Sequence, residues 1–113
     1  MDCVFCKIVD GRIPSEKLFE DADFIAFRDI HPQSPVHVLI VPKFHITSLA
    51  HLKPEHETLM GRLIMLATKI AQSEGLAVRG YRLVTNCGAE GGQVVPHLHF
   101  HLIGGKQMDD KMG

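Results

Sequence analysis

His97, His99 and His101 stand two residues apart, with Leu98, Phe100 and Leu102 interleaved between and after them. On an extended chain, successive side chains point to opposite faces. A strand over residues 96–103 therefore puts three imidazoles on one side and three apolar groups on the other, the pattern of a strand lying on a core. A helix would scatter the imidazoles around its circumference. The plain alternative is a strand that merely happens to be rich in histidine. Three stacked imidazoles, however, make a poor core and a poor surface: protonated they repel, and neutral they still need hydrogen-bond partners. With an ordinary pKa of about 6.5, imidazole serves as nucleophile, general base or metal ligand near neutral pH. The array is read as chemistry.

Other residues could join it. Cys3 and Cys6 form a Cys-x-x-Cys pair, which has three readings. No strand leads into it, as a thioredoxin-like redox pair would require. Half of a tetrahedral zinc site needs two further nitrogen or sulfur ligands. The third reading is two inert thiols. Directly before the histidines runs Cys87-Gly88-Ala89-Glu90-Gly91-Gly92-Gln93. Glycines let backbone amides approach an anion closely, so such a loop can form a phosphate nest without a lysine. Taken alone, Gly-Gly is only a turn. Asp29, in Asp29-Ile30-His31-Pro32, offers several acceptor sites and no donor, but as a loop aspartate it could equally be a turn-former.

The elements that must position these groups are legible. Residues 3–9 read as one or two helical turns, with Phe5 and Ile8 on a shared face. Lys17–Glu20 and Phe24–Asp29 flank a polar turn and predict a hairpin. Val36–Val41, bounded by prolines, predicts a strand buried on both faces. Pro54 is placed to start a long helix that runs to Gly75, on the spacing of Leu59, Leu63, Leu66 and Ile70. Its apolar stripe is wide enough to cover the sheet and leave an excess for a second subunit. Tyr81–Asn86 predicts the strand before the triad. His37, on the central strand, reads as a satisfied structural histidine, and His51 and His56 as solvated. The fold class expected is α+β, an antiparallel sheet of about five strands with one long and one short helix.

The chain of 113 residues suits one domain, 1–113. A net charge of −1 without a basic run argues against nucleic acid and against an anionic membrane surface. No apolar stretch has transmembrane length and no signal-peptide pattern is present. An odd number of cysteines, three, then points to reduced thiols in a cytoplasm.

The His-x-His-x-His array resembles the signature of the histidine triad family of nucleotide hydrolases and transferases. Asp29-Ile30, Pro42-Lys43-x-His45-Ile46, Gly80-Tyr81-Arg82, Asn86, Gly91-Gly92-Gln93 and Gly104-Gly105 fall in family order, and the chain is most similar to the short, Hint-like branch. The resemblance implies a homodimer with a sheet continuous across the interface. It implies hydrolysis of purine nucleoside phosphoramidates or aminoacyl-adenylates at the α-phosphate, releasing a nucleoside monophosphate such as AMP. His99 would be the nucleophile, its other ring nitrogen bonded to a backbone carbonyl. His97 and His101 would steady the phosphate oxygens. Val4, Phe5, Ile8, Phe27 and Ile30 would form the base pocket, with Asp29 on the ribose and Asn86, Gly92 and Gln93 around the phosphate. No cofactor is needed for the chemistry. A structural zinc would be held by Cys3, Cys6, His45 and His97. Two alternatives are a dinucleoside polyphosphate hydrolase of the same family, and a zinc- or nucleotide-binding module with little turnover. Two departures stand out: Val94 where Hint proteins often carry a serine that helps the leaving group, and a tail without the tryptophan-proline ending.

Overall fold

The computed structural model describes residues 3–111; the last two residues of the tail lie outside them. Cys3 caps a short helix, α1 (Val4–Val9), its Sγ accepting from the Cys6 amide at 3.1 Å. Then come β1 (Lys17–Glu20), β2 (Phe24–Arg28), β3 (Val36–Pro42), the long helix α2 (Glu57–Ser73), β4 (Tyr81–Val84) and β5 (Phe100–Gly104). All neighbours are antiparallel, in the order β1-β2-β3-β5-β4, as expected of the α+β class. The β1–β2 turn is closed by Asp21, whose Oδ1 accepts from the amides of Asp23 and Phe24, both at 2.8 Å.

The two faces of the sheet carry different cargo. On one, Phe24, Ala26, Val38, Ile40, Leu98, Phe100 and Leu102 pack against Leu63, Leu66, Ala67 and Ile70 of α2. On the other, Ile25, Phe27, Leu39 and Val41 pack against Phe5 and Ile8 of α1. The alternation along β3 and the triad stretch is thus real, since a period of two sends consecutive residues to opposite layers. Gly104 is needed where β5 passes under the end of α2: a Cβ there would lie 2.9 Å from Leu76 Cδ1.

Three boundaries depart from expectation. Pro54 opens a 3-10 turn, Pro54–His56, and α2 begins only at Glu57. β4 stops at Val84, because the Thr85 hydroxyl turns to donate to the His99 carbonyl at 2.8 Å. Regular strand covers only Phe100–Gly104, so His97 and His99 precede it. They are held instead by the Leu98 amide donating to the Ile46 carbonyl at 2.6 Å and by the Thr85 bond. Nor is their face open: His97 is fully buried and His99 only 7% exposed, because α1 lies over them.

Candidate active site

The α1 face holds a cavity of about 560 Å³, within the size range of small-molecule sites. Its apolar lining is built by Val4, Phe5 and Ile8 of α1 with Phe27 and Leu39 of the sheet. Asp29, Ile30, His31, Asn86, Gly92, Val94, His99 and His101 complete the lining. Asp29 is anchored through Oδ1, which accepts from the His31 amide at 2.8 Å. A wider groove of about 690 Å³ runs along the exposed side of α2 beside Phe19 and Met65. It has no histidine or cysteine among its lining residues.

His99 Nδ1 lies 2.7 Å from the His97 carbonyl oxygen. A carbonyl only accepts, so the proton resides on Nδ1, and Nε2 keeps its lone pair. Burial lowers the His99 pKa, against the opposing effect of that carbonyl, so the ring is neutral at neutral pH. The Phe5 ring stands edge-on to it, with centroids 4.8 Å apart.

His37 belongs to this site, which sequence reasoning missed. The Gln33 amide donates to His37 Nδ1 at 3.0 Å, which puts the His37 proton on Nε2. That proton points to His101 Nδ1, 2.9 Å away, with Asp29 Oδ2 at 3.5 Å. His101, neutral, therefore carries its own proton on Nε2 and is a donor. Its pKa is pushed down to about 4 by burial, with smaller contributions from His99 and His37. A signal was available: His37 sits in register two residues from Leu39, the partner of His101 on β5.

Two expected roles change. His97 does not line the cavity; its ring turns away and only its carbonyl serves His99. Gln93 is not a phosphate ligand either. Its side chain accepts from the Gly88 amide at 2.9 Å and donates to the carbonyls of Thr47 and Val95 at 2.7 and 3.0 Å. Its own amide bonds the Gly88 carbonyl, and the Gly92 amide bonds that of Ala89. The amides of Gly88, Gly92 and Gln93 are thus turned into the loop rather than toward an anion. The glycines serve tight closure: a Cβ at Gly91 would fall 2.3 Å from the Cys87 carbonyl oxygen. Asn86 lines the cavity, and its Nδ2 donates one hydrogen to the Gly91 carbonyl at 2.8 Å.

Behind His99 the ring of His97 meets Cys3, Cys6 and His45. His97 Nδ1 is 3.2 Å from Cys3 Sγ, 3.5 Å from Cys6 Sγ and 3.2 Å from His45 Nδ1. His45 Nδ1 is 3.9 and 3.4 Å from the two sulfurs. Tetrahedral zinc, with Zn–S of about 2.3 Å and Zn–N of about 2.0–2.1 Å, sets S···N edges of roughly 3.5 Å and N···N edges of roughly 3.3 Å. The S···N and N···N separations, between 3.2 and 3.9 Å, lie around those values. His97 Nε2 donates to the Pro42 carbonyl at 2.8 Å, which leaves the Nδ1 lone pair facing the other three donors, the outer-shell arrangement typical of a metal-ligating histidine. The residues fit zinc.

A five-stranded antiparallel α+β fold thus carries a tautomer-fixed imidazole on the wall of a cavity of small-molecule size. The comparisons identify the family. The HIT domain matches residues 10–108, and the chain belongs to that family. It is 45% identical over 107 residues to the purine nucleoside phosphoramidase of Escherichia coli strain K12, covering 95% of this chain and 90% of that protein. It is 47% identical to adenylylsulfatase HINT1 of Arabidopsis thaliana, over 94% of this chain and 73% of that one. The crystal structure of a HIT family hydrolase from Legionella pneumophila Philadelphia 1 superposes with a TM-score of 0.97 at 47% identity, covering 99% of this chain and 100% of the other. Among the described residues no helix is long and apolar enough to cross a membrane.

Proposed function

We propose that this protein is a hydrolase acting at the α-phosphate of purine nucleoside phosphoramidates, and of aminoacyl-adenylates, through a nucleotidyl-histidine intermediate. The observation that carries the reading is the His99 Nδ1 to His97 carbonyl bond of 2.7 Å, which leaves an unprotonated Nε2 on a residue that lines the same cavity as the apolar residues of α1. His99 Nε2 forms a bond to phosphorus as the phosphorus–nitrogen bond of the substrate breaks, and the amine leaves with a proton taken from solvent. Water then cleaves the phosphorus–histidine bond and releases the nucleoside monophosphate. His101 Nε2–H and the Asn86 amide bond the phosphate oxygens and stabilise the charge that develops there. Asp29 holds the ribose through its remaining acceptor sites.

Cys3, Cys6, His45 and His97 hold one zinc, whose part is to cross-link α1 to the loops around Pro42 and the triad. The chemistry takes place at His99 without it. The edge of β4, which pairs only with β5, and the exposed Ile64 and Met65 of α2 provide the surfaces for a homodimer. A reducing cytoplasm suits the thiol ligands.

The test is incubation with adenosine 5′-phosphoramidate, following AMP by chromatography and the intermediate by acid-quenched phosphorus NMR. Steady AMP release with a transient P–N signal is expected. Turnover of diadenosine polyphosphate alone would point to the other hydrolase branch, and binding of AMP without turnover of either substrate to a sensing module.

A further inference from the structure

α1 has only six residues, yet it belongs to two sites at once. Through Cys3, its N-cap, and Cys6 it supplies half of the sulfur–nitrogen cluster. Through Val4, Phe5 and Ile8 it forms one wall of the nucleotide cavity. A helix this short does not hold itself together in water, since nucleation is costly and few bonds repay it. Its conformation is set by what it is fastened to: the sulfur–nitrogen cluster at its first turn and the sheet under Phe5 and Ile8.

His97 is shared in the same way. Its ring points at the cysteines, 3.2 Å from Cys3 Sγ, while its carbonyl, 2.7 Å from His99 Nδ1, fixes the tautomer of the nucleophile. Phe5 spans the two, edge-on to His97 at 6.0 Å and to His99 at 4.8 Å between centroids. The apolar core under α2 contains no residue of α1, so that layer is packed independently of the helix.

We infer that metal binding at Cys3, Cys6, His45 and His97 is thermodynamically linked to nucleotide binding, with α1 and the His97 main chain as the linking elements. Metal occupancy sets the base pocket and the nucleophile, making this nucleotide site a metal-conditioned one. The inference rests on the zinc reading above. The four donors lie on three separate stretches of chain. Without a cation, nothing stronger than hydrogen bonds between thiols and imidazoles joins them, and α1 is held on the sheet only by the packing of Phe5 and Ile8, so its first turn and the cavity wall it forms loosen.

Linkage is reciprocal: whatever factor zinc adds to AMP affinity, AMP adds to zinc affinity, commonly 5- to 150-fold, or about 1–3 kcal/mol. The experiment uses the whole protein. Zinc affinity is measured by competition with a chromophoric chelator, with and without saturating AMP. AMP affinity is measured by calorimetry on zinc-loaded and zinc-stripped protein, and circular dichroism follows the fold. We expect zinc-stripped protein to keep its sheet signal and a cooperative melt, to bind AMP about tenfold more weakly, and to recover on adding zinc. Zinc affinity should rise by the same factor when AMP is present. Folded, zinc-stripped protein with undiminished AMP affinity would overturn the inference and leave the zinc site standing. Stripped protein that has lost its sheet signal would also overturn it, the metal then being a staple for the whole fold. Failure to compete with the chelator at all would remove the zinc reading and the inference together.

Discussion

The two faces of the sheet are built from the same strands by the same alternation, yet they have opposite character. The α2 face is built around an apolar core: Leu63, Ala71, Leu98 and Leu102 are fully buried. The α1 face buries imidazoles instead. His37, His97 and His99 are each less than a tenth exposed, and every one has its pKa lowered by burial. Burying polar groups weakens a core unless each is hydrogen-bonded, and here each ring nitrogen turned inward has a named partner. The division separates stability from chemistry: one layer holds the fold, and the other holds groups whose protonation and tautomer matter.

If that division is right, changes on the two faces should have nearly orthogonal effects. The largest is expected at His99. His99→Ala should lower turnover of adenosine phosphoramidate by roughly 10⁴-fold or more, as removal of a covalent nucleophile does, while AMP binding and the melting temperature stay near wild type. Wild-type turnover by His99→Ala without added imidazole would exclude the covalent route.

Next is the opposite layer. Leu63→Ala empties a fully buried site and should cost about 2–5 kcal/mol of stability, with kcat per folded molecule unchanged. A loss of kcat in proportion to the loss of stability would show that the faces are mechanically coupled.

The pH dependence of stability sharpens the comparison. His101 has a folded pKa of about 4 against about 6.5 in an unfolded chain. Between those values the unfolded state takes up the proton and the folded state does not, so stability is intact above pH 6.5 and falls as pH drops toward 4. Thermal melts between pH 7 and 4.5 should show this decline, and His101→Gln should show a shallower one. Equal slopes in the two proteins would place the acid sensitivity elsewhere.

The smallest effect concerns Val94, which is 89% exposed on the rim of the cavity. A hydroxyl there could bond the departing nitrogen, but a neutral group should give less than the roughly 10²–10⁴-fold of a titrating acid. Val94→Ser should raise turnover modestly for strongly basic amine leaving groups and little for adenylates. Identical dependence on leaving-group basicity in both proteins would make position 94 a rim residue without chemical influence.

What the sequence by itself determined was whatever depends on local period and residue type. The alternation from His97 to Leu102 assigned the apolar residues to the core. The spacing of Leu63, Leu66 and Ile70 marked α2, and bounding prolines marked β3. These signals are local because strand and helix geometry repeat every two or 3.6 residues. Motif order, with the family resemblance, placed Asp29, Asn86 and His99 at one cavity. Tertiary structure decided the directions of side chains whose partners are distant in the chain. His97 turns to Cys3, 94 residues away, rather than into the cavity. His37 enters the site through His101, 64 residues away. Gln93 is consumed by Thr47, 46 residues away. An imidazole or an amide has several equivalent ways to be satisfied, and only the packing of the sheet, α1 and the glycine loop around it selects one.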